Sequence, residues 1–138
     1  MGAIHAISHE LITVTNTTYI NAVSVIELMG RIIEKYKSLP ITLVLDNAKY
    51  QRCSLVIEFA KKHNIELLFL PSYSPNLNLI ERLWKFVKKM CLYCKYYDSF
   101  EYFKNAILNC IHNTDKIYKN EINTLLNLKF QIFQNTNL

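Results

Sequence analysis

The sequence predicts an α/β layered domain, and three observations carry that expectation. Two short β-favouring runs, Ile41–Leu45 and Ile65–Leu70, read as buried strands. Each is preceded by a segment whose apolar residues recur at helical spacing, and helices alternating with buried strands indicate layers around a sheet. The third is the scarcity of turn residues: two Gly and three Pro are too few for a hairpin-rich β fold. At 138 residues, with 51% hydrophobic and 20% charged, the chain fits one folded domain and disorder is excluded as its main state.

The elements follow in order. Gly2–Ile7 and Glu10–Thr15 alternate apolar and polar residues around Ser8 and His9, which predicts a β-hairpin. His5 and His9 read as polar positions on a half-exposed strand. Residues 21–37 place Val25, Leu28, Met29, Ile32, Ile33 and Tyr36 on one helical stripe. Ser38, Leu39 and Pro40 end that helix. The run Ile41–Leu45 is followed at once by Asp46 and Asn47, as when a carboxylate closes a parallel strand. A helix is expected over Ser54–His63, and a second buried strand ends at Pro71. Ser72 to Asn76 form a turn-rich loop. Asn78 then suits a helix cap, with Glu81 three residues on as in a capping box, and the helix runs to about Met90. Phe100–Ile111 and Ile117–Phe133 predict two further helices.

Composition narrows the partners. Sixteen basic against 11 acidic residues leave a net charge of +5, which suits a polyanion. Thirteen of the basic residues are Lys, in a chain also rich in Asn, Ile and Tyr; AT-rich coding explains part of that excess. No stretch approaches the ~18 apolar residues of a membrane span, and Met1–Glu10 lacks the pattern of a signal peptide. The expectation is a soluble, cytoplasmic protein without a membrane partner. Cys53, Cys91, Cys94 and Cys110 read as reduced thiols. A zinc site built from Cys91, Cys94, Cys110 and His112 is disfavoured, because its ligands fall on separate predicted helices.

Two carboxylates stand out by position. Asp46 closes one strand, and Glu81 opens the helix that follows the next. The intervening helix and strand return the chain to the same sheet edge, where sites gather in open α/β sheets. Hard oxygen ligands at such an edge suit Mg²⁺ or Mn²⁺. Read singly, Asp46 is more often a helix cap or turn residue, and Glu81 more often a capping-box residue or a surface charge.

The words around them are more specific: Leu-Val-Leu-Asp46-Asn47-Ala, Leu-Pro-Ser-Tyr73-Ser74-Pro75, and Leu-Asn78-Leu-Ile-Glu81-Arg-Leu-Trp84. Together they resemble the catalytic domain of DDE-type transposases, in particular bacterial insertion-sequence transposases of the mariner-related group. In that family the second catalytic Asp lies in an LDN strand end. The last acid lies in a YSP-x-LNPIE-x-x-W block, with 34 residues between the two, as here. The likeness covers roughly residues 2–90 and extends toward the helical tail.

The resemblance implies an RNase H-like fold, a three-layer mixed sheet with flanking helices, and two-metal DNA strand cleavage and transfer. Residues 1–138 then form one partial catalytic domain, with a core over 1–90 and a helical tail over 91–138. Asp46 and Glu81 become catalytic and metal-binding residues for Mg²⁺ or Mn²⁺. Lys85 and Lys88 follow Glu81 at i+4 and i+7 with Lys89 alongside, and these with Asn47 are candidate DNA contacts. Lys49, Tyr50 and Arg52 are weaker candidates, equally readable as exposed loop residues.

Two departures from the family pattern matter. Leu79 replaces the usual Pro, a minor change at a first helical position. The family's first catalytic Asp, its strand and the upstream DNA-binding region find no counterpart; Glu10 is a poor substitute. The expectation is therefore an incomplete sheet lacking its first central strand, and a chain inactive on its own. Its partners would be transposon ends and target DNA, with further copies of itself or a full-length transposase. The alternative is a non-catalytic DNA- or transposase-binding remnant that interferes with an active enzyme. A resolvase-like nuclease is a third reading, opposed by the YSP and IE-x-x-W words.

Overall fold

The computed structural model describes residues 1–130. Two strands, β1 (Gly2–Ile4) and β2 (Leu11–Thr13), are followed by α1 (Ala22–Lys35), β3 (Ile41–Leu45), α2 (Ser54–Lys62) and β4 (Ile65–Phe69). Three helices complete the chain: α3 (Leu79–Cys91), α4 (Phe100–His112) and α5 (Lys119–Leu125). One-turn 3₁₀ helices at Lys49–Gln51 and Pro75–Leu77 punctuate the loops. The residues fall into two compact units, Met1–Glu81 and a second beginning at Arg82.

In the first unit β3 and β4 pair in parallel, from Ile41 opposite Ile65 to Leu45 opposite Phe69. A parallel pair needs a crossover, and α2 supplies it. Leu70 N–H donates to the Leu45 carbonyl at 2.9 Å, so the ladder holds to the residue before Asp46. The strands obey their alternation. Leu43, Ile65 and Leu67 pack in the core with the helices and Leu45 is buried, while Thr42, Val44, Glu66 and Leu68 are exposed.

The core of this unit is built where α1 and α2 lie on the β3–β4 pair. Val25 and Met29 of α1 meet Val56 and Ala60 of α2 and Ile65 of β4, all nearly inaccessible to water. Burying a side chain such as Met29 or Val56 contributes roughly 1.5–3 kcal/mol each. Helix α1 begins in a capping box. Asn21 Oδ1 accepts from the N–H groups of Val23 and Ser24, and Ser24 Oγ accepts from Asn21 N–H.

β1 and β2 form their own antiparallel sheet, and among the described residues no ladder joins it to β3–β4. The two sheets meet through side chains: Val14, Leu28 and Ile32 pack with Met1, Ala3, Ile12, Ile41 and Leu43. The hairpin is shorter than its alternation predicts, because His5 leaves the strand. Its ring Nδ1 accepts from the N–H groups of Ile7 and Ser8, and its backbone N–H donates to the Glu10 carbonyl. His5 organises the turn rather than occupying an ordinary strand position, and His9 closes it with a left-handed backbone, φ 59°.

The second unit is helical. Ser99 caps α4 by accepting from Tyr102 N–H, and Phe86 meets Tyr118 edge-on at 5.4 Å. Cys91 and Cys110 are buried neighbours; burial first, then the Cys91 thiol, pushes the Cys110 thiol up to about 12. The last helix is shorter than the expected Ile117–Phe133. Asn127 ends it, donating from its amide to the Thr124 carbonyl and accepting from Lys129 N–H. Residues 131–133 of that expectation lie outside the described residues.

Candidate active site

The C-terminal ends of β3 and β4 open into a cleft of about 490 Å³. Asp46 and Asn47, directly after β3, line one part of it. Leu70 to Ser74, after β4, line another, and Glu81 in the first turn of α3 completes it. The two carboxylates singled out in the sequence thus converge on one space. They do so because parallel pairing brings both strand ends to the same edge, where the next helix begins.

Asp46 is held from one side. The Asn78 side-chain amide donates to Asp46 Oδ1 at 2.7 Å, a bond that uses one of the two carboxylate oxygens. Asn78 is 8% exposed, and its own Oδ1 accepts from Ile80 N–H at 3.3 Å, so it also caps α3. Asn47 reaches the opposite strand end, donating to Ser72 Oγ at 3.0 Å. Its Oδ1 is buried and has no hydrogen-bond partner among the described residues.

Tyr50 lies beside this cluster. Burial raises the pKa of its hydroxyl, and the negative charges of Asp46 and then Glu81 raise it further. Tyr50, a weaker candidate for DNA contact in the sequence, thus lies within electrostatic reach of both carboxylates. Tyr73 sits at the rim, fully exposed, with a left-handed backbone at φ 61° that bulky residues rarely adopt.

Other candidates are placed elsewhere or engaged. Arg52 stacks its guanidinium over the Phe69 ring, 5.2 Å from the centroid. Glu10 is bound to Lys35 and to the Tyr36 hydroxyl and is not among the cleft residues. Lys85, Lys88 and Lys89 are exposed on α3, beyond the first unit and outside the cleft lining.

The cleft is lined by oxygen-bearing side chains, the carboxylates of Asp46 and Glu81 and the hydroxyls of Ser72 and Ser74. That set fits a hard divalent cation such as Mg²⁺, which is commonly bound by one or two carboxylates and keeps several waters. Among the described residues no group of three or more His, Cys, Asp or Glu forms a fuller ligand set. None of their helices is long and apolar enough to cross a membrane.

Comparison with known proteins bears on the family and the fold. A search of curated proteins finds no match. Among solved structures, the catalytic domain of Mos1 mariner transposase matches with a TM-score of 0.63 at 18% identity. That match covers 85% of this chain and 62% of the other. The Mos1 catalytic domain with raltegravir and Mg gives 0.63, and with raltegravir and Mn 0.64, both at 19% identity. These two cover 85% of this chain and 63% and 64% of the others. This chain therefore spans less than two thirds of the length of the structures it matches. At such identity the likeness shows the fold, and the expected RNase H-like α/β architecture is borne out. The family model described as DDE superfamily endonuclease matches residues 1–104, well over half of the chain and inclusive of Asp46 and Glu81. The chain belongs to the DDE superfamily endonuclease family.

Proposed function

We propose that this chain carries two acidic positions of a metal-dependent site for DNA strand cleavage and strand transfer. The observation that carries this reading is the convergence of Asp46 and Glu81 on one oxygen-lined cleft. Asp46 and Glu81 hold Mg²⁺ or Mn²⁺. When bound, such ions polarise the scissile phosphate and stabilise the attacking and leaving oxygens of an in-line displacement. The remaining work belongs to the chain's own residues. Asn47 ties the strand end that carries Asp46 to the loop after β4 through its bond to Ser72 Oγ. Lys85, Lys88 and Lys89 contact DNA phosphates, which fixes the register of the strand without reading its sequence.

Two carboxylates balance one divalent charge. A second ion close to the first needs further negative ligands. We therefore infer that the isolated chain binds metal and DNA without cutting it.

The test uses supercoiled plasmid with Mg²⁺ or Mn²⁺, beside a gel-shift assay on duplex DNA. The expected result is retention without nicking. In the Lys85→Gln/Lys88→Gln/Lys89→Gln variant, the slope of log affinity against log salt should fall by about 0.9 for each phosphate no longer neutralised. Metal-dependent nicking that disappears in Asp46→Ala would show that two carboxylates suffice. An unchanged salt slope would remove the three lysines from the DNA interface.

A further inference from the structure

We propose that Asn78 is a positioning residue for the metal site, setting the Asp46 carboxylate relative to the helix turn that carries Glu81. The inference rests on the metal-site reading above and extends it to a residue that is neither acidic nor a ligand.

The geometry is specific. Asn78 spends both ends of its side-chain amide. Its Nδ2 donates to Asp46 Oδ1 at 2.7 Å, and its Oδ1 accepts from Ile80 N–H at 3.3 Å. These partners fix which way the amide points. An ionised carboxylate can only accept and a backbone N–H can only donate, so the flipped amide would lose both bonds. The Asn78 backbone carbonyl in turn accepts from Glu81 N–H at 3.2 Å. One residue, 8% exposed, thus touches the first acid through its side chain and the backbone of the second through its carbonyl.

Neither role alone requires asparagine. Ser and Asp cap helices about as well as Asn. Asp offers no donor to a carboxylate, and Ser is too short to cap Ile80 and reach Asp46 together. Asparagine does both, because its acceptor and donor sit on one rigid planar group. A charge-assisted bond to one oxygen restricts rotation of the Asp46 carboxylate, so the other oxygen is presented in a fixed direction. Hydrogen-bond partners of metal-ligating carboxylates typically matter by 10–100-fold in metal affinity.

The test is Mn²⁺ titration calorimetry of the full chain, with circular dichroism and thermal unfolding on the same samples. Asn78→Ser keeps a capping oxygen and loses the bond to Asp46; Asn78→Thr is the second variant should the first fold poorly. Asn78→Ala loses both, and Asp46→Ala removes the ligand. Asn78→Ser should retain wild-type helix content and unfolding midpoint, and bind Mn²⁺ about tenfold more weakly. Mg²⁺ addition should shift the Asn78 side-chain amide resonance in the wild type and leave it unmoved in Asp46→Ala. Wild-type affinity in Asn78→Ser would overturn the proposal. So would weaker binding accompanied by the same loss of helix as Asn78→Ala, which would mark Asn78 as a cap alone. If Asp46→Ala itself binds Mn²⁺ normally, the metal-site reading fails instead, and the two failures are distinguishable.

Discussion

The side-chain amide of Asn47 donates to Ser72 Oγ at 3.0 Å, joining the residue after the Asp46 carboxylate to a loop 25 positions later. With the Leu70 to Leu45 backbone bond, this contact ties together the ends of the parallel pair, whose residues line the cleft. The other end of the same amide is a buried acceptor with no protein partner among the described residues. Such an acceptor costs about 1–3 kcal/mol when nothing satisfies it.

Removing the Ser72 hydroxyl should therefore act on both stability and binding. Ser72→Ala is expected to lower unfolding stability by about 0.5–1 kcal/mol, the net worth of one neutral hydrogen bond. Its Mn²⁺ affinity should weaken a few-fold as Asn47 loses its anchor. Urea unfolding and calorimetry on the same preparation check this. Affinity equal to wild type would separate the loop from the metal site.

The pH dependence of stability centres on Glu10, Lys35 and Tyr36. The Tyr36 hydroxyl donates to Glu10 Oε2 at 2.6 Å, and burial first, then this bond, pushes its pKa up to about 12. A folded pKa above the ordinary value of 10 means that its contribution is fully present below about pH 10. It is lost as pH rises through about 12. Tyr36→Phe should thus be less stable than wild type by about 1 kcal/mol at pH 8, with the difference vanishing near pH 12. On the acid side, the hydrogen bond from Lys35, then that from Tyr36, lowers the pKa of the Glu10 carboxyl. Its contribution is present above the usual carboxylate range and is lost as pH falls below it. Urea midpoints of both proteins from pH 3 to 12 check both limbs. A wild-type–variant difference that persists at pH 12 would contradict the Tyr36 assignment.

Much of the frame was legible in the sequence. Ile41–Leu45 is bounded by Pro40 and Asp46, so its limits were fixed by neighbours that cannot continue a buried strand. Apolar periodicity placed the helices that begin at Ala22 and Phe100, and the structure adds their local caps, Asn21 and Ser99. What escaped the sequence is non-local. Asn78 lies 32 residues from Asp46, and its role as a cap was visible while its bond to the carboxylate was not. Tyr50 reads as an exposed loop residue or a phosphate contact, and only the fold sets it near two carboxylates. His5 fits a strand by alternation, and only its ring bonds to Ile7 and Ser8 show why the chain turns there. The packing of the β1–β2 sheet against β3–β4 through side chains such as Val14, Ile12 and Leu43 is non-local in the same way, since no alternation pattern states which sheets share a core.

The central claim is that Asp46 and Glu81 share one divalent cation site, and Mn²⁺ titration of the intact chain beside Asp46→Ala and Glu81→Ala tests it most directly. Saturable binding is expected in the wild type and lost in each variant, with all three proteins equally folded by circular dichroism. Binding that survives either substitution, or no binding by a folded wild-type chain, would contradict it.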